Sequence, residues 1–282
     1  MDFIGTKILK TARDRGLAAA AFDAFNMESA QAVVMAANEL SLPVLLQVGI
    51  DSAHYMGLKT AIQTLKSAKA EAKVDVCLHF DHGRQTSRIE QLAEVIELGI
   101  ESVMVDGSAL PIEDNISLTK QVVGLAHPRG ISVEAEVGRV SRDPNATTEE
   151  IRKIMTQPDD AARLVEETGA DYLAVSVGSI SGQLTTQSTL DLERLQQIRD
   201  KVDAPLVFHG GTGIPEDQLQ AAIGLGVAKV NIAHGFRKSF LDGVRQHLAD
   251  KPEEFDPRVA LAAGTESAKA FAMRRMMQMV AT

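Results

Sequence analysis

Short runs of apolar and β-branched residues alternate along this chain with longer stretches whose apolar positions recur at helical spacing. The runs cover residues 18–23, 43–49, 75–81, 102–108, 132–138, 172–178, 205–211 and 229–235. Between them, sets such as Ile89, Leu92, Ala93 and Ile96, or Leu190, Leu192, Leu195 and Ile198, put apolar side chains on one helical face. A strand pattern followed each time by a helix pattern is the signature of βα units and a parallel sheet. Eight such units in 282 residues predict an α/β chain folded as one closed (β/α)8 TIM barrel over 1–282. A doubly wound open sheet is the runner-up, but it normally lacks this eightfold regularity. Met273, Met276, Met277 and Val280 follow i, i+3, i+4, i+7 spacing. They predict a helical tail over about 262–281, packed on the barrel or on a second subunit.

In such barrels the groups that do chemistry gather at the C-terminal ends of the strands. The polar residues of this chain follow that rule. Asp23, Gln47, Asp81 with His82, Asp106 with Ser108, Glu134 with Glu136, Ser176 with Ser179 and Ser181, His209, and Asn231 all fall at or just past a predicted strand end. Carboxylates and imidazoles are costly to bury unless paired or metal-bound, so this many on one rim predicts a site there. Two segments stand out. Pro205-Leu206-Val207-Phe208 runs into His209-Gly210-Gly211-Thr212-Gly213, and Leu78-His79-Phe80-Asp81-His82-Gly83 has the same character. Each delivers a metal-capable side chain beside glycine amides that nothing obstructs, which suits a phosphorylated substrate held next to a Lewis acid. The bland alternative is that the glycines only terminate strands. His79 lies inside its strand and is expected to pack or hydrogen-bond behind the site. Lys229 opens the eighth run, at the wrong end for the rim, and reads as a structural or solvent-facing lysine rather than a Schiff-base nucleophile. His54, His127 and His247 show no partner in the sequence and are given no role.

Composition narrows the class. The chain is 45% hydrophobic, enough for one large core, and it lacks the apolar run of ~18 or more residues that a membrane span requires. Its start has no basic segment leading into an apolar one, and the lone Cys77 cannot form an internal disulfide. Both features predict a cytoplasmic protein that does not engage a membrane. A net charge of −9 argues against a nucleic-acid surface and leaves room for a local basic pocket.

Six motifs in order carry a resemblance. They are Ala21-Phe22-Asp23-Ala24-Phe25-Asn26-Met27-Glu28, Leu78-His79-Phe80-Asp81-His82, Val105-Asp106-Gly107-Ser108-Ala109-Leu110-Pro111, Val133-Glu134-Ala135-Glu136-Val137-Gly138, His209-Gly210-Gly211-Thr212-Gly213 and Lys229-Val230-Asn231-Ile232-Ala233. With this set the chain resembles the class II, metal-dependent ketose-bisphosphate aldolases, from about Ile8 to the segment Asp256-Pro257-Arg258. The resemblance implies a lyase that cleaves or forms a phosphorylated ketose through dihydroxyacetone phosphate. It implies that Asp81 shuttles a proton at the C4 hydroxyl and that His82 and His209 bind Zn2+. Cleaving the C3–C4 bond needs that hydroxyl deprotonated and the electrons accepted as an enediolate, which a divalent metal at the ketone oxygen favours. It further implies that Gly178, Gly182, Gly210, Gly211, Thr212, Asn231, Ile232, Ala233 and His234 receive phosphate, with Asn231 also touching the dihydroxyacetone part. A small phosphorylated sugar as partner, a monovalent cation as a second possible ion, and a homodimer or homotetramer complete the expectation.

The departures from the family carry as much information. Where relatives place a third zinc-binding histidine after strand six, this chain reads Gly178-Ser179-Ile180-Ser181-Gly182. A serine hydroxyl is a poor zinc ligand beside imidazole, so the site recruits Glu134 or another group, binds metal weakly, or binds none. After strand five, Arg139-Val140-Ser141-Arg142-Asp143-Pro144 replaces a glycine-rich stretch with a proton-exchanging glutamate. Asp23 replaces an asparagine, Gly49 a serine and His234 a threonine. Two other readings therefore stay open: a catalytically impaired paralogue that binds sugar phosphates, and a metal-independent reaction on the same rim.

Overall fold

The structure is a computed structural model, and it describes residues 3–81, 89–141, 143, 145–180 and 188–280. The strands are β1 (Ala19–Asp23), β2 (Val44–Gly49), β3 (Val76–Asp81), β4 (Ser102–Val105), β5 (Ser132–Val137), β6 (Tyr172–Val175), β7 (Leu206–Phe208) and β8 (Val227–Ile232). They pair in parallel in sequence order, and β8 closes on β1. The fold is the eight-stranded (β/α)8 barrel that the periodicity predicts. Helix α1 (Ile4–Asp14) precedes β1, α2 (Met27–Leu40) follows it, and α3 (Ile50–Met56) and α4 (Leu58–Ala70) follow β2. Then come α5 (Ile89–Glu97), α6 (Ile112–Ala126), α7 (Thr148–Ile154), α8 (Pro158–Thr168), α9 (Leu192–Arg199), α10 (Glu216–Gly224), α11 (His234–Asp250) and α12 (Pro257–Val280).

Two apolar layers follow from strand alternation. Outward residues such as Phe22, Leu46, Phe80, Val103, Val133, Leu173, Phe208 and Val230 join the large cluster under the helices. Inward residues Ala19, Ala21, Leu45, Cys77, Met104, Tyr172, Ala174 and Val207 make a smaller cluster inside the barrel with Ile8 and Leu9 of α1. Helix α1 thereby floors the barrel. Gly5 permits this, since a Cβ there would lie 2.7 Å from Ser132 Oγ, 3.0 Å from the Tyr172 hydroxyl and 3.2 Å from Cys77 Sγ. The small inward alanines at the bottom leave the upper lumen for polar side chains.

Strands β4 and β7 end sooner than the sequence pattern suggests, because their polar ends turn. Asp106 Oδ1 accepts from Ser108 N at 3.2 Å and from Ser108 Oγ at 2.7 Å. His209 leads into Gly210, which sits at φ +73. Strand β8 begins at Val227, earlier than predicted, and its pairing with β7 shifts register near Leu206 and Val207. The C-terminal helix likewise starts at Pro257, with proline in the first turn where its missing N–H is harmless. Its buried face is Ala260, Gly264, Ala268, Ala272, Met276 and Met279. The methionine spacing identifies only part of that face: Met276 is buried, while Met277 is exposed. Among the described residues no helix is long and apolar enough to cross a membrane.

Candidate active site

Inward positions near the C-terminal ends of the strands form a polar layer above the apolar one. Asp23 ends β1, Gln47 lies on β2, His79 and Asp81 on β3, Glu134 on β5, His209 just past β7, and Lys229 and Asn231 on β8; all are buried. Asp81 is held by two amides. Gln47 Nε2 donates to Oδ2 and Asn231 Nδ2 donates to Oδ1, each at 3.0 Å. The same Asn231 amide lies 3.2 Å from His209 Nδ1, and His209 Nε2 lies 3.1 Å from Glu134 Oε1. Because an amide N–H can only donate, His209 Nδ1 accepts from Asn231 and Nε2–H donates to Glu134. One asparagine thus orients both the carboxylate of Asp81 and the imidazole of His209. Asn231 Oδ1 and Gln47 Oε1 are buried with no hydrogen-bond partner among the described residues.

Glu134 is mid-strand rather than at a strand end, one layer below the mouth. Its Oε2 accepts from Lys229 Nζ at 2.6 Å, and Lys229 Nζ is also 3.3 Å from His79 Nε2. Lys229 is fully buried, so the solvent-facing reading of this residue is wrong and the structural one stands. The side chain reaches up the lumen from its strand and spends its charge on a carboxylate. Burial opposes the Glu134 charge, but Lys229, with His209 and His79, more than offsets it and lowers the carboxyl to about 2. His79 is driven the other way, first by burial and then by Lys229, and stays below its ordinary value. Its Nδ1 lies 2.7 Å from Ser102 Oγ, and Ser102 in turn bonds the Tyr172 hydroxyl. His79 therefore hydrogen-bonds behind the site, as expected.

Which of these groups suit a divalent metal is a question of charge as well as distance. Single atoms of His79, Asp81 and Glu134 lie within 4.8 Å of one another. The Lys229 ammonium already fills the cation role there, so a metal at that depth would meet a like charge. The pair His209 Nε2 and Glu134 Oε1 is different. Their 3.1 Å separation is close to the ~3.3 Å edge of a zinc tetrahedron with ~2.0–2.1 Å bonds, and His209 would lose the Nε2 proton on binding. These donors fit a divalent ion. His82, Ser181 and Gly182 lie outside the described residues, as do Arg142 and Pro144 of the loop after β5.

The predicted phosphate residues, apart from Gly182, fall on adjoining segments at the same end. Gly211 is pressed against β8, where a Cβ would collide with Val230 Cγ1 and come within 3.0 Å of Asn231 O. Gly178, at φ +113, would collide with Thr189 O. Both glycines thus have a packing reason of their own. Thr212 Oγ1 accepts from Gly235 N at 3.3 Å. Ile232 and Ala233 lead into α11, which begins at His234 with no side-chain cap, leaving the positive end of a 17-residue helix toward the mouth.

A second cluster was not legible in the motifs. Arg237, on the first turns of α11, bonds Asp23 Oδ2 and lies 3.3 Å from Ser52 Oγ, while Gly49 N donates to Asp23 Oδ1 at 2.7 Å. Burial raises the Asp23 carboxyl despite this arginine. Far from the mouth, His127 does have a partner, with Nε2 3.0 Å from Asp171 Oδ2, and His247 Nε2 lies 3.6 Å from Glu254 Oε2. Both pairs are partly buried.

Comparisons with known proteins agree with this fold. A model of the family described as Fructose-bisphosphate aldolase class-II matches residues 5–282. A probable fructose-bisphosphate aldolase of Bacillus subtilis is 38% identical over 275 residues, covering 96% of this chain and 95% of that protein. A fructose-bisphosphate aldolase of Streptococcus pneumoniae is 38% identical over 284 residues, covering 96% and 94%. Among solved structures, the YdjI aldolase from Escherichia coli K12 superposes with a TM-score of 0.84 at 31% identity, covering 98% of this chain and 96% of that one. A putative fructose-1,6-bisphosphate aldolase from Coccidioides immitis gives 0.86 at 26% identity, covering 99% and 96%. With the barrel, the site layer and full-length likeness in hand, the chain belongs to the class II fructose-bisphosphate aldolase family.

Proposed function

We propose that this protein is an aldehyde-lyase that splits a phosphorylated ketose into dihydroxyacetone phosphate and an aldehyde, and joins them in reverse. The observation that carries this is Asp81, whose two oxygens are held by Gln47 and Asn231 beside His209. Two amide donors fix the carboxylate without giving it a proton, which suits it to act as a base toward a substrate hydroxyl. In cleavage Asp81 takes the C4 hydroxyl proton as the C3–C4 bond breaks and its electron pair stays with C3, the enediolate then taking a proton from solvent to give dihydroxyacetone phosphate; in synthesis the same transfers run in reverse. Asn231 keeps Asp81 and His209 in register and offers its unpartnered Oδ1 to the dihydroxyacetone part.

His209 with Glu134 would hold a divalent ion, zinc by family, and His82 is the third candidate. Such an ion supplies Lewis acidity, drawing electrons toward the ketone oxygen. Glu134 Oε2 stays with Lys229, which keeps the carboxylate ionised and aimed. The phosphate goes to backbone amides of Gly210, Gly211 and Thr212 and to the start of α11, from Asn231, Ile232 and Ala233 to His234; Gly178 and Gly182 are further candidates for it. The expected partner is a small phosphorylated sugar, in the cytoplasm.

The test is a coupled assay for triose phosphate on a panel of ketose phosphates with zinc supplied. Asp81→Asn should lower turnover on the order of 10²–10⁴-fold while keeping phosphate affinity. Turnover within about tenfold of the unmodified protein would refute the assigned role of Asp81.

A further inference from the structure

The cluster around Asp23 is not used by the mechanism above. Alternation along β1 turns Ala19 and Ala21 into the lumen, so Asp23 faces the mouth, and it is only 3% exposed. Asp23 pairs across to Gln47, while Gly49 pairs across to Asp81. It therefore stands on the β1–β2 side of Asp81, the base assigned to the C4 hydroxyl at which the aldehyde half begins.

Arg237 would, by itself, be an anion receptor there, a guanidinium on the first turns of a helix whose positive end faces the mouth. Asp23 cancels it. The hydrogen bond from Gly49 N and the 3.4 Å contact from Ser52 Oγ could be accepted equally by a neutral amide oxygen. What only a carboxylate supplies is charge against Arg237, and it is supplied at the cost of burying an ion. Gly49 adds no side-chain donor, and a Cβ there would sit 3.3 Å from Asp23 Oδ1. With the arginine neutralised and Asp81 close by, the described residues leave no net positive charge on the β1–β2 side for a second phosphate. The amides after β7 and at the start of α11 provide the anion site on the neighbouring β7–β8 side.

We infer that Asp23 is a specificity determinant, and that the substrate is a ketose carrying a single phosphate on its dihydroxyacetone end, with an uncharged polyhydroxylated aldehyde half. This rests on the lyase reading for the orientation of the substrate. The Arg237–Asp23 pair then presents hydroxyl-binding rather than phosphate-binding groups to the aldehyde half.

Calorimetric titration of the zinc-supplemented protein with hexitol 1-phosphate and hexitol 1,6-bisphosphate tests this without turnover. The unmodified protein should bind the monophosphate more tightly than the bisphosphate. Asp23→Asn, which keeps shape and frees Arg237, should move the affinity ratio about tenfold or more toward the bisphosphate. Adding Arg237→Gln to that variant should move it back. Tighter binding of the bisphosphate by the unmodified protein, no binding of either ligand, or an unchanged ratio in folded Asp23→Asn would overturn the inference. The wild-type ratio decides even if the variant does not fold. Because the titration needs no catalysis, a preference for monophosphate with no aldol cleavage would count against the lyase reading and leave the charge selectivity standing.

Discussion

Lys229→Met should expose the energetic price of the buried site layer. Lys229 and Glu134 have no solvent exposure and meet at 2.6 Å. Glu134 falls from the ordinary carboxylate value of 4.5 to about 2 in the folded chain. At ~1.4 kcal/mol for each tenfold change in proton affinity, that corresponds to about 3 kcal/mol of stability at neutral pH. The sign is that of a depressed carboxylate: the contribution is present above 4.5 and is lost as pH falls toward 2. Methionine fills the lysine stem's volume but leaves Glu134 Oε2 without its cation, and removing one partner of a buried pair typically costs ~3–5 kcal/mol. Urea denaturation at pH 7 should therefore show a loss of about 3 kcal/mol, shrinking near pH 4 as Glu134 protonates in the variant. Adding Glu134→Gln should recover much of it, since a neutral amide keeps an oxygen for His209. A loss below about 1 kcal/mol at pH 7, or no recovery in the double variant, would refute the claim that Lys229 serves chiefly to neutralise Glu134.

Gly5→Val should lift α1 from the barrel floor, because the space for its Cβ is taken by Ser132, Tyr172 and Cys77; a cost of about 1–3 kcal/mol in chemical denaturation is expected, and an unchanged midpoint would refute the plug. Ser181→His should raise zinc per chain in elemental analysis, since the family places a third imidazole at that position. Full zinc occupancy in the unmodified protein would instead mean that His209, Glu134 and their neighbours suffice.

The barrel was legible because its outer layer writes a strict period into the sequence. Each strand must bury one face under helices, so Phe22, Leu46, Phe80 and Leu173 recur where the alternation demands them. Strand ends were less legible. Asp106 and His209 continue the alternation in type, yet their side chains and the following glycines turn the backbone, which shortens β4 and β7. Asp81, His209 and Asn231 could be read as rim residues from position alone. Lys229 could not, because its meaning lies in Glu134, 95 residues earlier, and only barrel closure brings the two together. Arg237 was invisible for the same reason: nothing in its helix distinguishes it from a solvated arginine until β1 places Asp23 beside it. In α12 the methionine spacing marks only part of the buried face, which also runs along the small residues Ala260, Gly264, Ala268 and Ala272.

On the lyase reading, this mouth activates a dihydroxyacetone phosphate unit, whatever aldehyde accompanies it. That half-reaction can be followed alone, as exchange of a C3 proton of dihydroxyacetone phosphate with solvent in deuterium oxide, read by proton NMR with zinc-loaded protein. Stereospecific loss of one C3 proton, faster than without protein and suppressed by chelator, is the result predicted. Tight binding of dihydroxyacetone phosphate by the zinc-loaded protein without any exchange would contradict it.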